Sequence, residues 1–216
     1  PEHPDIAQSL DDIAVICEKT GDYNKSEKHH TRALTIRRKA LGDDPETARS
    51  LSNFAELYKL IGKYDESESM QQEALAMREK LLGLDHLDAI YSLHGLATIY
   101  QIKGKFHEAE ELYKKAIDPK ISKKLSKVEP IAIATCFTDL GTLYDDRGEY
   151  DKAVPLHKQA IEIYKKVENP YSLITAILLN NLARSYQFLG DDKQSELLFN
   201  EATQIAEKYI SKKDRN

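Results

Sequence analysis

Histidines, an acidic pair and a run of lysines are the side chains from which this sequence could build chemistry. His29 and His30 are adjacent, so on a helix they point about 100° apart and cannot share a metal ion. His86 and His94 are separated by a helix start, with no cysteine or carboxylate at a spacing that completes a ligand set. Asp145-Asp146 is a lone acidic pair near a helix end, too few ligands for a metal centre. No glycine-rich phosphate loop and no nucleophile motif occurs in the chain. The sequence is therefore read as non-enzymatic, with no catalytic residue, no metal and no cofactor. Lys114, Lys115, Lys120, Lys123, Lys124 and Lys127 would suit an acidic partner, a membrane surface or RNA. No aromatic residues interleave them to stack on bases, and a solvated loop is the preferred reading.

The remaining chemistry is recognition, and a repeating frame of helices positions it. Leu93, Leu96, Ala97 and Tyr100 fall at i, i+3, i+4 and i+7, one face of a helix. Gly104 stops that helix, because glycine tolerates the left-handed conformation a helix end requires. Ala109, Leu112, Tyr113, Ala116 and Ile117 then form a second stripe, so the unit is a pair of amphipathic helices joined by a tight turn. The unit recurs at Gly21, Gly62, Gly104, Gly148 and Gly190, with spacings of 41, 42, 44 and 42. Seven before each glycine stands a small residue: Ala14, Ala55, Ala97, Gly141 and Ala183. The residue before it is apolar: Ile13, Phe54, Leu96, Leu140 and Leu182. Four before the glycine come Cys17, Tyr58, Tyr100, Tyr144 and Tyr186, and twelve after it Ala33, Ala74, Ala116, Ala160 and Ala202. The tyrosines read as core packing. Several columns held in register predict an all-α helical solenoid.

Size and charge fit that frame. In 216 residues, 31% are charged and 41% hydrophobic, which suits a thin two-layer array with much surface per residue. The net charge of −5, with both signs interspersed, gives no basic field that would mark the domain as a nucleic-acid binder. No apolar run approaches the roughly 18 residues needed to span a bilayer, so membrane insertion is not expected. No secretory signal opens the chain, which begins at Pro1 and reads as a piece of a longer protein. Cys17 and Cys136 lie in different repeats and are expected as free thiols, in a reducing, cytoplasmic setting.

Element boundaries follow from prolines and caps. The repeats open at His3-Pro4-Asp5, Asp44-Pro45-Glu46, Asp85-His86-Leu87-Asp88, Glu129-Pro130 and Asn169-Pro170. They span about 3–43, 44–84, 85–128, 129–168 and 169–210, one array over 1–210 followed by a polar tail at 211–216. Asp118-Pro119 interrupts the second helix of repeat three, after which Ile121, Leu125 and Val128 predict a short resumed helix. Pro155 is placed early in the second helix of repeat four, where the first turn does not use its missing amide.

In such an array the first helices line a concave surface. A helical wheel puts Tyr91, His94, Thr98, Gln101 and Ile102 about 140° from the core stripe. Matching columns give Gln8, Asp11, Val15, Glu18 and Lys19 in repeat one, and Arg49, Ser52, Glu56, Lys59 and Leu60 in repeat two. Repeat four supplies Thr135, Thr138, Thr142, Asp145 and Asp146, and repeat five Ile177, Asn180, Arg184, Gln187 and Phe188. Amides and hydroxyls suit the backbone of an extended peptide, while the apolar positions accept anchoring side chains. The candidate peptide-binding residues are Arg49, Ser52, Glu56, Lys59, Tyr91, His94, Thr98, Gln101, Thr138, Thr142, Asn180, Arg184 and Gln187.

These columns resemble the tetratricopeptide repeat, whose signature is a small residue after Leu, a Tyr three on, and alanines in the second helix. The ordinary repeat of 34 residues is exceeded by about eight, mostly at the end of the second helix. That length, with Arg78-Glu-Lys-Leu-Leu-Gly-Leu-Asp-His86, Ala153-Val-Pro-Leu-His-Lys-Gln-Ala-Ile161 and Leu179-Asn-Asn-Leu-Ala183, resembles the kinesin light chain type. The sequence departs from the pattern at Cys17, at Ser26, Ser67 and Ser195 in an alanine column, and at Asp118-Pro119. The resemblance implies a right-handed superhelical solenoid of five tetratricopeptide-type helix hairpins, with peptide cargo adaptors as the ligand class. The Lys/Asn/Arg set that binds chaperone C-termini in some relatives has no match in these columns.

The function expected is a cargo-adaptor-like scaffold that binds a short linear segment of a protein partner, with no nucleic-acid ligand. The alternative is a structural or regulatory array that self-associates or masks an attached effector domain.

Overall fold

A computed structural model describes residues 3–125, 127–167 and 172–213. Among them the chain forms eleven α-helices and no strand: α1 (Pro4–Lys19), α2 (Tyr23–Leu41), α3 (Pro45–Leu60), α4 (Tyr64–Leu82), α5 (Leu87–Ile102), α6 (Phe106–Ala116), α7 (Pro119–Leu125), α8 (Pro130–Asp146), α9 (Tyr150–Val167), α10 (Leu173–Phe188) and α11 (Asp192–Lys213). They divide into two compact units, Pro1–Leu112 and Tyr113–Asn216. The opening expected at Asn169-Pro170 lies outside the described residues; α10 begins at Leu173, its cap Ser172 Oγ accepting from the Thr175 amide at 3.2 Å.

All five turn glycines have positive φ, between 73° and 80°. Each turn closes through the same pair of backbone bonds. The glycine amide donates to the carbonyl three residues back, and the next amide reaches the residue four before the glycine. The second bond runs from Asp22 to Cys17 (2.9 Å), Lys63 to Tyr58 (2.8 Å), Lys105 to Tyr100 (2.8 Å), Glu149 to Tyr144 (2.8 Å) and Asp191 to Tyr186 (3.0 Å). Because the backbone supplies the bond, Cys17 fills this column as well as a tyrosine does. Pro4, Pro45 and Pro130 stand in the first turn of their helices, where the missing amide is not used.

In the first unit α1–α2 and α3–α4 are hairpins, and α2 packs on α3 and α4 on α5. In the second, α8–α9 and α10–α11 pair, α9 packs on α10, and α7 lies against α8. Successive first helices touch, α1 on α3, α3 on α5 and α8 on α10, whereas α2–α4 and α9–α11 make no comparable contact. Within each unit, stacking of one repeat on the next is therefore carried mainly by a second helix on the following first helix, with the first helices touching more lightly. The small-residue columns let the helices approach: Ala14, Ala97, Ala183, Ala33, Ala74, Ala116 and Ala160 are completely buried. Ser26 and Ser67 fit the alanine column because their hydroxyls are satisfied, donating to Glu18 Oε1 (2.9 Å) and the Ala55 carbonyl (2.7 Å). Apolar clusters fill much of the interior, with Leu51, Phe54, Leu57 and Met77 in the first unit and Ile161, Tyr164, Leu179 and Leu182 in the second, but Asp11, His30, Arg37, Arg78 and His157 are buried as well.

Three expectations are corrected. Ile13 is 43% exposed, although Phe54, Leu96 and Leu182 in its column are buried, because no described helix precedes α1 to cover that face. Pro155 is the sixth residue of α9 rather than part of its first turn, so the ring removes the amide that would bond the Asp151 carbonyl. The resumed helix α7 ends at Leu125, and Val128, outside it, is exposed. The column tyrosines also differ in depth: Tyr144 is buried, whereas Tyr58 and Tyr100 are half-buried with their hydroxyls bonded to Glu27 (2.9 Å) and Gln72 (3.0 Å). Cys17 and Cys136 are free thiols, and burial pushes the Cys136 thiol up to about 12.

Candidate functional site

Helical spacing aligns the candidate residues in rows on the first helices of each unit. In the first unit α3 presents Arg49, Ser52, Glu56 and Lys59, and α5 presents Tyr91, His94, Thr98 and Gln101. Glu56 and Tyr91 are exposed and the others half-buried. Local partners hold several of them: Arg49 donates to Gln8 and Glu46, Ser52 Oγ accepts from Arg78 at 3.0 Å, and Lys59 pairs with Glu56 at 2.6 Å.

In the second unit α8 carries Thr138 and Thr142, both half-buried, and α10 carries Asn180, Arg184 and Gln187, all exposed. Thr98, Thr138 and Thr142 donate to the carbonyls of His94, Ala134 and Thr138 at 2.9–3.0 Å. Such back-bonding fixes the hydroxyls on their own helices. Asn180, Arg184 and Gln187 make no hydrogen bond or ion pair among the described residues. Beside them Ile177 is 52% exposed and Phe188 61%, the Phe188 ring stacked on Tyr150 with centroids 4.6 Å apart.

Asp11, Glu18 and Asp145, expected on this surface, instead turn toward the second helices. Asp11 is buried, its carboxylate bonded to His30 Nδ1 (2.9 Å), Ser50 Oγ (2.7 Å) and Arg37. Glu18 Oε1 meets His30 Nε2 at 2.9 Å, so a fully buried histidine bridges two carboxylates. Burial alone would push the His30 pKa down, but the bonds to Asp11 and Glu18 outweigh it and hold the imidazole above its usual value. For Asp11 burial works upward and is outweighed by the bonds from His30 and Ser50 and the charge of Arg37, which hold the carboxyl below its usual range.

The second unit repeats the motif in simpler form. His157 Nε2 lies 2.8 Å from Asp145 Oδ2, and Ser185 Oγ donates to Asp145 Oδ1 at 2.7 Å. Serine, histidine and aspartate are the types of a hydrolase triad, but here the carboxylate stands in the middle. Triad chemistry requires the imidazole between the acid and the hydroxyl whose proton it takes. Ser185 and His157 are also fully buried. The cluster is therefore structural, joining α8, α9 and α10. The sequence held a signal for it. His30 and His157 both stand nine residues after a turn glycine, and in those two repeats alone the residue three before the glycine is acidic. Among the described residues no group of three or more His, Cys, Asp and Glu is placed to hold a metal ion, and no helix is long and apolar enough to cross a membrane.

The sequence profile described as Tetratricopeptide repeat matches residues 5–80, 47–118 and 131–208. No curated protein sequence matches the chain significantly. Among solved structures, a Podosopora anserina protein named as a kinesin light chain with nearly identical TPR-like repeats is similar at 24% identity and a TM-score of 0.80. The match covers 97% of this chain and 99% of that one. BtubC (BKLC) from P. vanneervenii is similar at 21% identity and a TM-score of 0.85, over 96% of this chain and 82% of that one. The apo form of RapI gives 18% identity and a TM-score of 0.77, over 92% and 53%. At these identities the likeness shows the fold alone.

Proposed function

The chain belongs to the tetratricopeptide repeat family, typically scaffolds for protein–protein interaction, and we propose that its first-helix surfaces bind a short linear peptide of a partner protein. The observation that carries this reading is the row Asn180, Arg184 and Gln187 on α10, exposed and unengaged beside exposed Ile177 and Phe188. Amide and guanidinium groups at one-turn spacing bond a peptide backbone or carboxylate, and the apolar pair receives an anchoring side chain. Within the second unit Thr138 and Thr142 on α8 add hydroxyls to this row, and the first unit carries side chains of the same types on its own α3 and α5 rows. The test is a peptide-array screen with the wild-type chain and an Asn180→Ala/Arg184→Ala/Gln187→Ala variant. Binding should fall in the variant while helicity holds; unchanged binding moves the site elsewhere.

A second reading, association of copies, draws on α1. Ile6, Ile13 and Ile16 are 41%, 43% and 61% exposed, while the residues in their columns on α3, α5 and α10 are buried. A second copy would cover that stripe with a helix such as α11. Sedimentation velocity over a concentration series checks this: Ile13→Glu/Ile16→Glu should abolish any self-association, and a monomer at all concentrations contradicts it.

A further inference from the structure

The break in the second helix of repeat three opens a crevice that the first-helix surfaces do not use. Helix α6 ends at Ala116 because Pro119 cannot continue it. Asp118 restarts the chain as α7, its Oδ1 accepting from the Lys120 amide at 2.9 Å. Between this joint and the α8–α9 hairpin lies an open cavity of about 590 Å³, within the roughly 300–1,000 Å³ of ligand-sized sites. Half-buried Ile117 and exposed Pro119 form one wall and half-buried Leu156 and Ile163 the other, over the buried side chains of Ile133 and Phe137. Exposed Lys114 and Lys123 stand at its rim. Residues 114–127 carry six lysines and one aspartate, in a chain whose net charge is −5.

We propose that this crevice is a second docking site, for a short acidic peptide segment that buries an apolar side chain between α7 and α9 while its carboxylates meet Lys114 and Lys123. Charge complementarity selects the occupant. Asp118 also lines the crevice, but one oxygen of its carboxylate is taken by the Lys120 amide, and Lys114 and Lys123 outweigh it; that balance around an apolar slot favours a ligand that is acidic outside and apolar at its centre. RNA fits less well, because the aromatic ring in the lining, Phe137, is buried and offers no face for a base. A lipid surface fits less well because the apolar atoms line a recess rather than a protruding face.

The probe is a fluorescein-labelled peptide, Asp-Glu-Leu-Phe-Asp-Glu, titrated by fluorescence anisotropy against the full chain. Saturable binding is expected, weakening as salt is raised. Lys114→Glu/Lys123→Glu should weaken it about tenfold or more, since both interacting charges are reversed. Ser122→Trp, which fills the crevice without changing its charge, should do likewise, with circular dichroism confirming that both variants remain helical. The Asn180→Ala/Arg184→Ala/Gln187→Ala variant should bind this probe as the wild type does, which separates the crevice from the first-helix surface. Absence of saturable binding overturns the proposal, as does unchanged affinity in the charge-reversed variant. Equal affinity for a peptide with Ser-Ser in place of Leu-Phe also overturns it. So does tighter binding of oligouridine, or of phosphatidylserine-containing vesicles, than of the peptide.

Discussion

His157 of α9 packs so closely on Gly141 of α8 that a β-carbon added to the glycine would stand 2.7 Å from Cε1 of the imidazole and 2.8 Å from its Nδ1. The ring has no room to retreat, since it is fully buried and held by Asp145 at 2.8 Å. The other four repeats carry alanine in this column, and repeat one keeps both Ala14 and a buried histidine, His30, at the position of His157, so the close approach to a glycine belongs to repeat four.

Gly141→Ala is accordingly expected to destabilise the chain, although alanine favours a helix by about 1 kcal/mol. Overpacking a filled interior costs about 1–3 kcal/mol and should win. Pairing the change with His157→Ala should relieve most of the loss. Urea unfolding of the two single variants and the double variant measures the coupling, and additive effects would show that the two residues are independent.

The alanine columns permit a sharper contrast. Ala97 and Ala183 are fully buried between helices, so replacing either with leucine should cost about 1–3 kcal/mol or more. The same replacement at exposed Glu79 should change stability by less than about 0.5 kcal/mol. Similar melting curves for all of these variants would contradict the packing described.

The His30 network makes stability depend on pH. With its folded-state pKa held above the ordinary 6.5, His30 stabilises fully below that value, and its contribution is lost as pH rises through the higher folded value. Asp11, held below 3.8, contributes above that value and loses its effect on acidification. Replacing His30 with glutamine, the residue that repeat two carries as Gln71, should remove the alkaline loss. The stability gap between wild type and His30→Gln should shrink from about pH 6 to about pH 9 in urea titrations. A gap that is constant or widens would place the charge elsewhere.

Asp11 itself is the most exposed point of that design to mutation. Asp11→Ala leaves Arg37 and His30 buried without their carboxylate, a loss of about 3–5 kcal/mol. Thermal and urea unfolding read this directly; a loss under about 1 kcal/mol would mean that Glu18, Ser50 and Glu46 satisfy the cations without it.

The repeat frame was legible because each turn needs a glycine with positive φ and each helix crossing needs a small side chain. Both demands fix residue types at constant spacing. Surface and interior were less separable on the first helices. Asp11 and Asp145 occupy the same side of the wheel as Ser52 and Thr138, yet histidines on the second helices draw their carboxylates inward. A wheel drawn one helix at a time lacks that partner, and pairing His30 with Glu18 and His157 with Asp145 across the turn would have supplied it. Ile13 shows the same limit: its column is apolar in every repeat, but whether a column is covered depends on the neighbouring helix. Pro155 falls beyond the first turn because α9 starts at Tyr150, two residues after Gly148, the same offset at which α2, α4, α6 and α11 follow their glycines.

Peptide binding on the first-helix surfaces remains the property to establish by direct mapping. Its most direct test uses a photo-crosslinking derivative of an array-selected peptide whose binding is unaffected by Lys114→Glu/Lys123→Glu, with the adducts mapped by mass spectrometry. Adducts are expected on α8 and α10, among Thr138, Thr142, Asn180, Arg184 and Gln187, or on the α3 and α5 rows. Adducts confined to α4, α9 or α11 would contradict that expectation.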